Sequence, residues 1–222
     1  MTESWDGERH SQASSIDIIQ DENEKARREA ENGLRQFDTV LQLVDSWVGG
    51  GRPFRLRPSL IQQLHREALC GINSFAGNWR PAGVKIGGSR HEPPGAHLVA
   101  ELVEGLCDYV NENWSSKTAI QLSAYVMWRL NWIHPFSDGN GRTSRALSYF
   151  LLSVKLGGRI SGTNTIPDQI SRNKKPYYQA LEAADRASVS GEIDLSAMEA
   201  LLGDMLATQL LSLHNEATGI SA

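Results

Sequence analysis

Twelve consecutive residues, from His134 to Arg145, carry the side chains whose types and spacing could do chemistry; they read His-Pro-Phe-Ser-Asp-Gly-Asn-Gly-Arg-Thr-Ser-Arg. A glycine-rich turn that opens into a helix presents unpaired backbone N–H groups at the positive end of the helix dipole. Such a helix end is a ready site for phosphate. The apolar run 146–154 predicts this helix, so we expect the Gly139-Asn140-Gly141 turn to bind an anion.

Four side chains beside this turn suit phosphate chemistry. Arg142 and Arg145 lie three positions apart, so on a helix they share a face and can reach one anion. Asp138 precedes the turn, where a carboxylate could hold Mg²⁺ against phosphate oxygens. His134 can take a proton near neutral pH. The stretch predicts phosphoryl or nucleotidyl transfer, although Gly-Asn-Gly could also be a plain connection between two helices.

The elements that position this stretch are predicted to be helices. Residues 118–132 are apolar on most sides, which is typical of a central helix that could deliver His134 from a rigid support. A helix over 142–156 should follow the turn and end at Gly157. Helical periodicity also predicts helices over 22–48, 58–70, 95–113, from about 175, and over 195–213. The predicted fold class is all-α.

Two further predictions concern the inward face of the first helix and the N-cap of the central helix. In the first helix, apolar residues at helical spacing should form the inward face: Leu34, Phe37, Val40, Leu41 and Val44. Ser115 or Ser116 should cap the central helix.

Residues 78–89 interrupt the helical rhythm. Val84, Lys85 and Ile86 alternate apolar and polar between glycine-rich turns, which predicts a short strand in a surface β-hairpin. The exposed edge of such a strand can pair with an extended segment of another protein.

Composition narrows the class of protein. A chain of 222 residues with 40% hydrophobic and 22% charged residues can bury a core as one domain with appendages. The net charge of −4 argues against non-specific nucleic-acid binding, which needs a basic face. The N-terminus lacks a secretory signal's apolar core, and no apolar run is long enough to span a membrane. We therefore expect a soluble cytoplasmic protein with neither nucleic acid nor membrane as a partner.

The stretch His134–Arg145 resembles the signature of the Fic (filamentation induced by cyclic AMP) domain family at each defining position, and the resemblance extends over about Phe54 to Leu181. It implies an all-helical core with a short β-hairpin flap. It also implies transfer of AMP from ATP to a Ser, Thr or Tyr hydroxyl of a target protein. The implied organisation is a disordered lead-in (1–14), an N-terminal helical segment (15–52), a Fic domain (53–190) and a C-terminal helix packed on it (191–222).

The resemblance assigns roles to residues of the motif. His134 would be the general base, Phe136 would anchor the loop, and Asp138 would bind Mg²⁺ between the α- and β-phosphates. The anion hole would consist of Gly139, Asn140 and Gly141, and the β- and γ-phosphates would be held by Arg142 and Arg145. The flap that docks the target would consist of Val84, Lys85 and Ile86.

The sequence defines the site for the adenine base less fully. Tyr177 and Tyr178 would flank adenine, although either could pack in the core instead. Asp185 stands where some relatives carry an adenine-binding asparagine, so the base preference stays open.

An inhibitory helix is a further implication of the resemblance. Many Fic proteins carry Ser/Thr-x-x-x-Glu-Gly/Asn, whose glutamate pairs with the second arginine of the motif. Glu31-Asn32 matches the end of this pattern with Arg27 in the first position, and Ser212-x-x-x-Glu216 is a second partial match. We expect Glu31 to bond Arg145 at rest; the competing interpretation is a solvated helix charge.

The function predicted from the sequence is therefore an autoinhibited protein adenylyltransferase that uses ATP and Mg²⁺. The alternatives are de-AMPylation or transfer of another phosphate-linked group by the same site, and a catalytically silent nucleotide-binding module. The sequence does not name the target. It also leaves open a homodimer, in which an N-terminal glutamate could act across the interface.

Overall fold

The computed structural model describes residues 11–12, 17–51 and 53–218. In these ranges the chain forms eight α-helices, which confirms the all-α prediction: α1 (Glu22–Val48), α2 (Pro58–Leu69), α3 (Val99–Glu112), α4 (Ala119–Ile133), α5 (Asn140–Lys155), α6 (Ile166–Arg172), α7 (Lys175–Val189) and α8 (Ser196–Thr218). A 3₁₀ turn, Ala96–Leu98, precedes α3, and two short strands, β1 (Ser11–Gln12) and β2 (Lys85–Ile86), pair antiparallel. Within the same ranges, no helix has the length and apolarity that a membrane span requires.

Helices α4 and α5 form the centre of the core. Most residues of both helices are buried, including Trp128 and Phe150, because their surfaces are apolar or carry small hydroxyl side chains. Helix α4 starts at a capping box in which Thr118 Oγ1 accepts from the Gln121 N–H and Gln121 Oε1 accepts from the Thr118 N–H. The predicted cap at Ser115 or Ser116 was therefore wrong, because only Thr118 has a glutamine three residues later.

Helix α1 docks on α2 through a face that is polar in its first half. Its buried residues are Asn32, Gln36, Val40 and Val44, whereas Leu34 is 72% exposed. The Asn32 amide donates to two carbonyl oxygens at the end of α2, at 3.2 and 2.9 Å, and the Gln36 amide donates to a third at 2.8 Å. The prediction that Leu34 faces inward was wrong because amide hydrogen bonds, not apolar contacts, set this end of the interface.

Two helices differ from their predicted extents. Helix α6 was not predicted as a separate element; Thr165 caps it and Pro167 stands in its first turn. Helix α8 continues to Thr218, beyond the predicted end at 213.

The flap segment has the predicted strand but a different strand partner. Val84 and Ile86 are buried and Lys85 is exposed, as the alternation of the sequence predicts. Within the described ranges, β2 pairs with β1 and not with a second strand of the flap. Ser11 and Gln12, which fall in the predicted 1–14 lead-in, supply this strand, and the rest of that segment up to 10 and over 13–14 lies outside the described residues.

Candidate functional site

A cavity of about 140 Å³ lies where the end of α4, the start of α5, the start of α7 and β2 meet. Its lining residues are Ile86, Asn131, His134, Asp138, Gly139, Asn140, Gly141, Arg142, Arg145, Lys174, Tyr177 and Tyr178. The structure thus brings the predicted base, acid, turn, arginines and tyrosines together. Of the flap residues, Ile86 lines the cavity, whereas Val84 and Lys85 do not.

His134 ends helix α4 in a left-handed conformation, with φ 51° and ψ 58°. This conformation is uncommon for a residue with a Cβ, and it turns the chain sharply from α4 into the loop. The side chain is 5% exposed, and its Nδ1 lies 3.2 Å from the Asn131 carbonyl oxygen. A hydrogen on Nδ1 would donate to this carbonyl and leave Nε2 as the nitrogen that accepts a proton.

Arg80 fixes the backbone at His134 and directly after it. Its Nε donates to the His134 carbonyl oxygen at 2.7 Å, and its backbone N–H donates to the Pro135 carbonyl oxygen at 2.8 Å. Its other guanidinium nitrogens donate to the carbonyl oxygens of Ala82, at 2.8 Å, and of Pro94. The side chain is 3% exposed, and burial lowers its pKa. Sequence reasoning missed Arg80 because nothing in its surroundings in the chain indicates a role.

His65 supports the loop from below. Its ring stacks on Phe136 with centroids 3.6 Å apart and planes within 3°. Nδ1 accepts from the Gly77 N–H at 2.8 Å, so the ring hydrogen sits on Nε2, which donates to the Asp138 carbonyl oxygen at 3.0 Å. Burial lowers the pKa of His65 to about 4. These contacts make His65 a buried packing residue that supports the loop.

Two features of Gly139 favour glycine at this position. Its φ is +75°, and a Cβ there would lie 2.4 Å from Leu69 Cδ2. The close approach lets the loop pass directly over α2 and sets the direction in which α5 begins.

The first turn of α5 presents its backbone to the cavity. Asn140 uses its own side chain inside the loop: Oδ1 accepts from the Phe136 N–H at 2.9 Å, and Nδ2 donates to the Phe136 carbonyl oxygen at 2.8 Å. The first N–H groups of a helix have no intrahelical acceptor. An anion here would therefore meet backbone N–H groups and the helix dipole, with the Asn140 side chain holding the loop in shape.

The two arginines of the motif have different surroundings. Arg142 donates to Asp138 Oδ2 at 2.9 Å and to Glu29 Oε1 at 3.0 Å. Arg145 Nη1 lies 3.2 Å from the point where a Cβ on Gly141 would stand, and within the described residues Arg145 forms no hydrogen bond or ion pair. A half-buried guanidinium without a carboxylate partner in this cavity is well suited to bind phosphate.

Helix geometry decides which glutamate of α1 reaches the site. Asn32 and Gln36 face the core, and Glu29 lies three and seven positions earlier, on the same face. Glu31 is two residues from Glu29, about 200° around the helix. Its carboxylate is 54% exposed and lies 3.6 Å from Arg28 Nε. The expected bond from Glu31 to Arg145 is thus not formed in this conformation, and its inhibitory role stays a prediction.

Asp138 fits a magnesium ligand by its chemistry. Oδ1 accepts from the Gly139 N–H at 2.6 Å, which fixes the carboxylate at the cavity while leaving further lone pairs on both oxygens. Mg²⁺ is commonly held by one or two carboxylates together with substrate phosphates and water. No group of three or more His, Cys, Asp or Glu side chains that could hold a metal ion occurs in the described part of the chain, so Asp138 would act with the substrate.

Both tyrosines are buried beside the cavity, Tyr177 to 1% exposure and Tyr178 to 6%. Asn131 Nδ2 donates to the Tyr177 hydroxyl at 2.9 Å and to the Ser144 hydroxyl at 2.8 Å, which ties α4, α5 and α7 together. Sequence reasoning missed Asn131 and Lys174 as lining residues. A lone amide one turn before His134 in an apolar helix was the available signal for Asn131.

A second and larger cavity, of about 820 Å³, lies between residues 88–92 and helix α7. Asp185 lines this cavity and accepts from the Trp128 indole N–H at 3.0 Å. Asp185 thus lines this second cavity and not the cavity that holds His134, and the base preference stays open.

Comparison with known proteins bears on this site. The family model described as "Fic/DOC family" matches residues 55–152. "Protein adenylyltransferase Fic" of Drosophila willistoni is 34% identical over 131 residues, which are 58% of this chain and 24% of that protein. The protein of the same name from Drosophila grimshawi is 38% identical over 131 residues, 58% of this chain and 25% of that protein. The chain thus spans about a quarter of the length of these curated relatives.

Two solved structures share the fold. A Fic domain containing signaling protein from Bacteroides thetaiotaomicron aligns over 87% of this chain and 74% of its own, with a TM-score of 0.65 and 20% identity. Fic-1 of C. elegans (residues 134–508) aligns over 90% of this chain and 55% of its own, with a TM-score of 0.67 and 20% identity.

Proposed function

This chain belongs to the Fic/DOC family through residues 55–152, and on that premise we propose that it transfers AMP from ATP to a Ser, Thr or Tyr hydroxyl of a target protein. The observation that carries the proposal is one cavity that collects His134, Asp138, the start of α5 and both arginines. A pure nucleotide-binding module would not need the histidine, so this set favours the enzyme over the silent module.

The reaction would proceed by in-line attack. His134 Nε2 takes the proton of the target hydroxyl, the hydroxyl oxygen bonds to the α-phosphorus, and the bond to the β-phosphate oxygen breaks to release pyrophosphate. The start of α5 and the guanidinium groups of Arg142 and Arg145 stabilise the negative charge on the phosphates. Asp138 would hold Mg²⁺, which supplies charge neutralisation on the phosphate oxygens. Arg80 and His65 keep the loop fixed.

The proposal also includes docking of the target protein at the flap and a subsite for the adenine base. A target segment would pair through its backbone with β2, beside the cavity that Ile86 lines. Tyr177 and Tyr178 would contact the base. A cytoplasmic location and a homodimer stay predictions.

We further propose that α1 restrains the enzyme through a glutamate. Two carboxylates compete for this role: Glu31, which carries the sequence pattern, and Glu29, whose Oε1 lies 3.0 Å from Arg142 Nη1. A carboxylate on a motif arginine competes with phosphate for the same guanidinium. The cavity volume of about 140 Å³, against the 300–1,000 Å³ usual for ligand sites, supports a resting state that must open for ATP.

The test uses α-labelled and γ-labelled ATP with Mg²⁺ and host lysate. The proteins are the intact chain, Glu29→Gln, Glu31→Gly, and each variant combined with His134→Ala. Glu24→Gln, in the first turn of the same helix, is the matched control. We expect label from the α position only, lost without His134 and raised about two- to fivefold by whichever substitution removes the restraint, the scale of one partly exposed ion pair.

Each other result would change a specific part of the proposal. Label from the γ position would indicate a kinase, and no label in any sample would favour the silent module or another donor. Equal labelling by the intact chain and both glutamate variants would remove the restraint by α1 while leaving the transferase.

A further inference from the structure

The edge of the flap strand already has an occupant from the same chain. Strand β1 pairs antiparallel with β2, with Ser11 opposite Ile86 and Gln12 opposite Lys85. Ile86 lines the cavity that holds His134. Residues 11 and 12 therefore lie along the strand at which a target would dock, and that strand contributes Ile86 to the lining of the cavity.

The chain just after β1 is fixed to the core. Asp17 forms an antiparallel bridge with Asn73, and the Ile18 N–H donates to the Ile72 carbonyl oxygen at 2.9 Å. The Asp17 carboxylate also accepts from Lys25 Nζ at 2.8 Å, and this hydrogen bond raises the pKa of Lys25. The chain between Gln12 and Asp17 spans at most roughly 18 Å.

A short connection to a fixed point keeps β1 near β2. Tethers of this kind give effective concentrations on the order of millimolar, so even a pairing of two residues can compete with a target in free solution. The backbone groups along one edge of a strand pair with one partner strand at a time.

We propose that β1 is an intramolecular competitor for the flap edge, which a target's extended segment must displace before its hydroxyl reaches the cavity. The inference rests on the proposed function, in which targets dock on β2 through their backbone. It adds a second restraint that acts on the protein substrate, whereas the α1 glutamate would act on the nucleotide.

Because β1 and β2 pair through backbone groups, the test variants remove backbone N–H groups and the controls change only side chains. In the full chain, Ser11→Pro with Gln12→Pro removes both N–H groups of β1, and with them the one that an antiparallel ladder directs at β2. Ser11→Ala with Gln12→Ala removes the same side chains and keeps both N–H groups, so it is the matched control. Both double variants are made in a chain that also carries Glu29→Gln and Glu31→Gly, so that restraint by α1 does not mask the effect of losing the strand pairing.

Two measurements test the inference. Amide hydrogen exchange of the peptide over 84–88 reports the pairing directly, with α4 amides as the internal reference for the fold. We expect the double-proline variant to exchange about two- to tenfold faster there and to transfer about two- to tenfold more α-label onto lysate proteins. The double-alanine variant should match its parent in both measurements.

The outcomes separate this inference from the proposed function. Unchanged exchange in the double-proline variant, or faster exchange with equal or lower transfer, overturns the competitor while the transferase stands. No α-label from any of these proteins removes the proposed function, and the inference with it.

Discussion

At the scale of single residues, the site depends on groups that never touch a reacting atom. His65 lies under the catalytic loop as a buried neutral imidazole, with one nitrogen accepting and the other donating. Its pKa of about 4 lies below the ordinary value of about 6.5 because burial disfavours the cation. Protonation of this ring would break its bond with Gly77 and place a charge against Phe136.

This shift predicts how stability depends on pH. The unfolded chain binds a proton at this histidine more readily than the folded chain does, so the contribution of His65 is complete above pH 6.5 and is lost as pH falls towards 4. We expect the free energy of unfolding to fall by about 3 kcal/mol across this window from this group. Urea unfolding at a series of pH values measures it.

The comparison variants are His65→Gln, which keeps an N–H donor but does not titrate, and His97→Gln, which changes an exposed histidine. His65→Gln should flatten the dependence between pH 6.5 and 4, and His97→Gln should leave it unchanged. The same slope in all three proteins would contradict a buried neutral His65.

At the scale of elements, Arg80 connects three segments of chain that meet at the site. One guanidinium and its backbone N–H satisfy carbonyl oxygens after α4, in the flap segment and before α3. The left-handed His134 is therefore held by Arg80 as well as by its own helix, where its N–H donates to the Leu130 carbonyl oxygen at 2.9 Å.

Replacing Arg80 with Met keeps the unbranched stem and removes the donors. Buried carbonyl oxygens would lose their partners, so we expect Arg80→Met to lower the free energy of unfolding by about 2–4 kcal/mol. Label transfer should also fall, because the His134 carbonyl oxygen would lose its hydrogen bond from the Arg80 side chain. Arg90→Met, at an exposed arginine in the same segment, is the control. A loss of unfolding free energy below about 1 kcal/mol for Arg80→Met would show that the side-chain hydrogen bonds of Arg80 contribute little.

At the scale of the whole molecule, nucleotide binding should raise the stability of the folded chain. A ligand that binds only the folded chain at about 100 times its Kd stabilises by about 2.7 kcal/mol. For a chain of this size we expect Mg²⁺ and ATP to raise Tm by about 5–10 °C, and by more in Glu29→Gln, since Arg142 is then released. Thermal unfolding followed by circular dichroism measures both shifts.

Arg145→Ala should lose most of this increase. Arg159→Ala, which breaks an exposed pair with Asp45, should keep it. An equal rise in Tm for intact chain and Glu29→Gln would mean that the Glu29 contact does not compete with nucleotide.

The sequence by itself determined what is local. The Gly139-Asn140-Gly141 turn, the helix after it and the apolar helix before it all lie within a few turns of chain, where spacing fixes which side chains share a face. Gly139 was placed in the turn by the same local pattern, although the close approach to Leu69, which also favours glycine there, comes from another helix.

Only the tertiary structure decided the long-range partners. Glu29 meets Arg142, Arg80 meets His134, and β1 meets β2 across long stretches of chain, and no periodicity encodes such pairs. The choice between Glu29 and Glu31 depends on the rotation of α1. That rotation is set by the Asn32 and Gln36 amides bonding to carbonyl oxygens of α2, and not by the apolar pattern that placed Leu34 inward. Sequence spacing defines the faces of a helix, whereas the hydrogen bonds of its neighbours determine which face is buried.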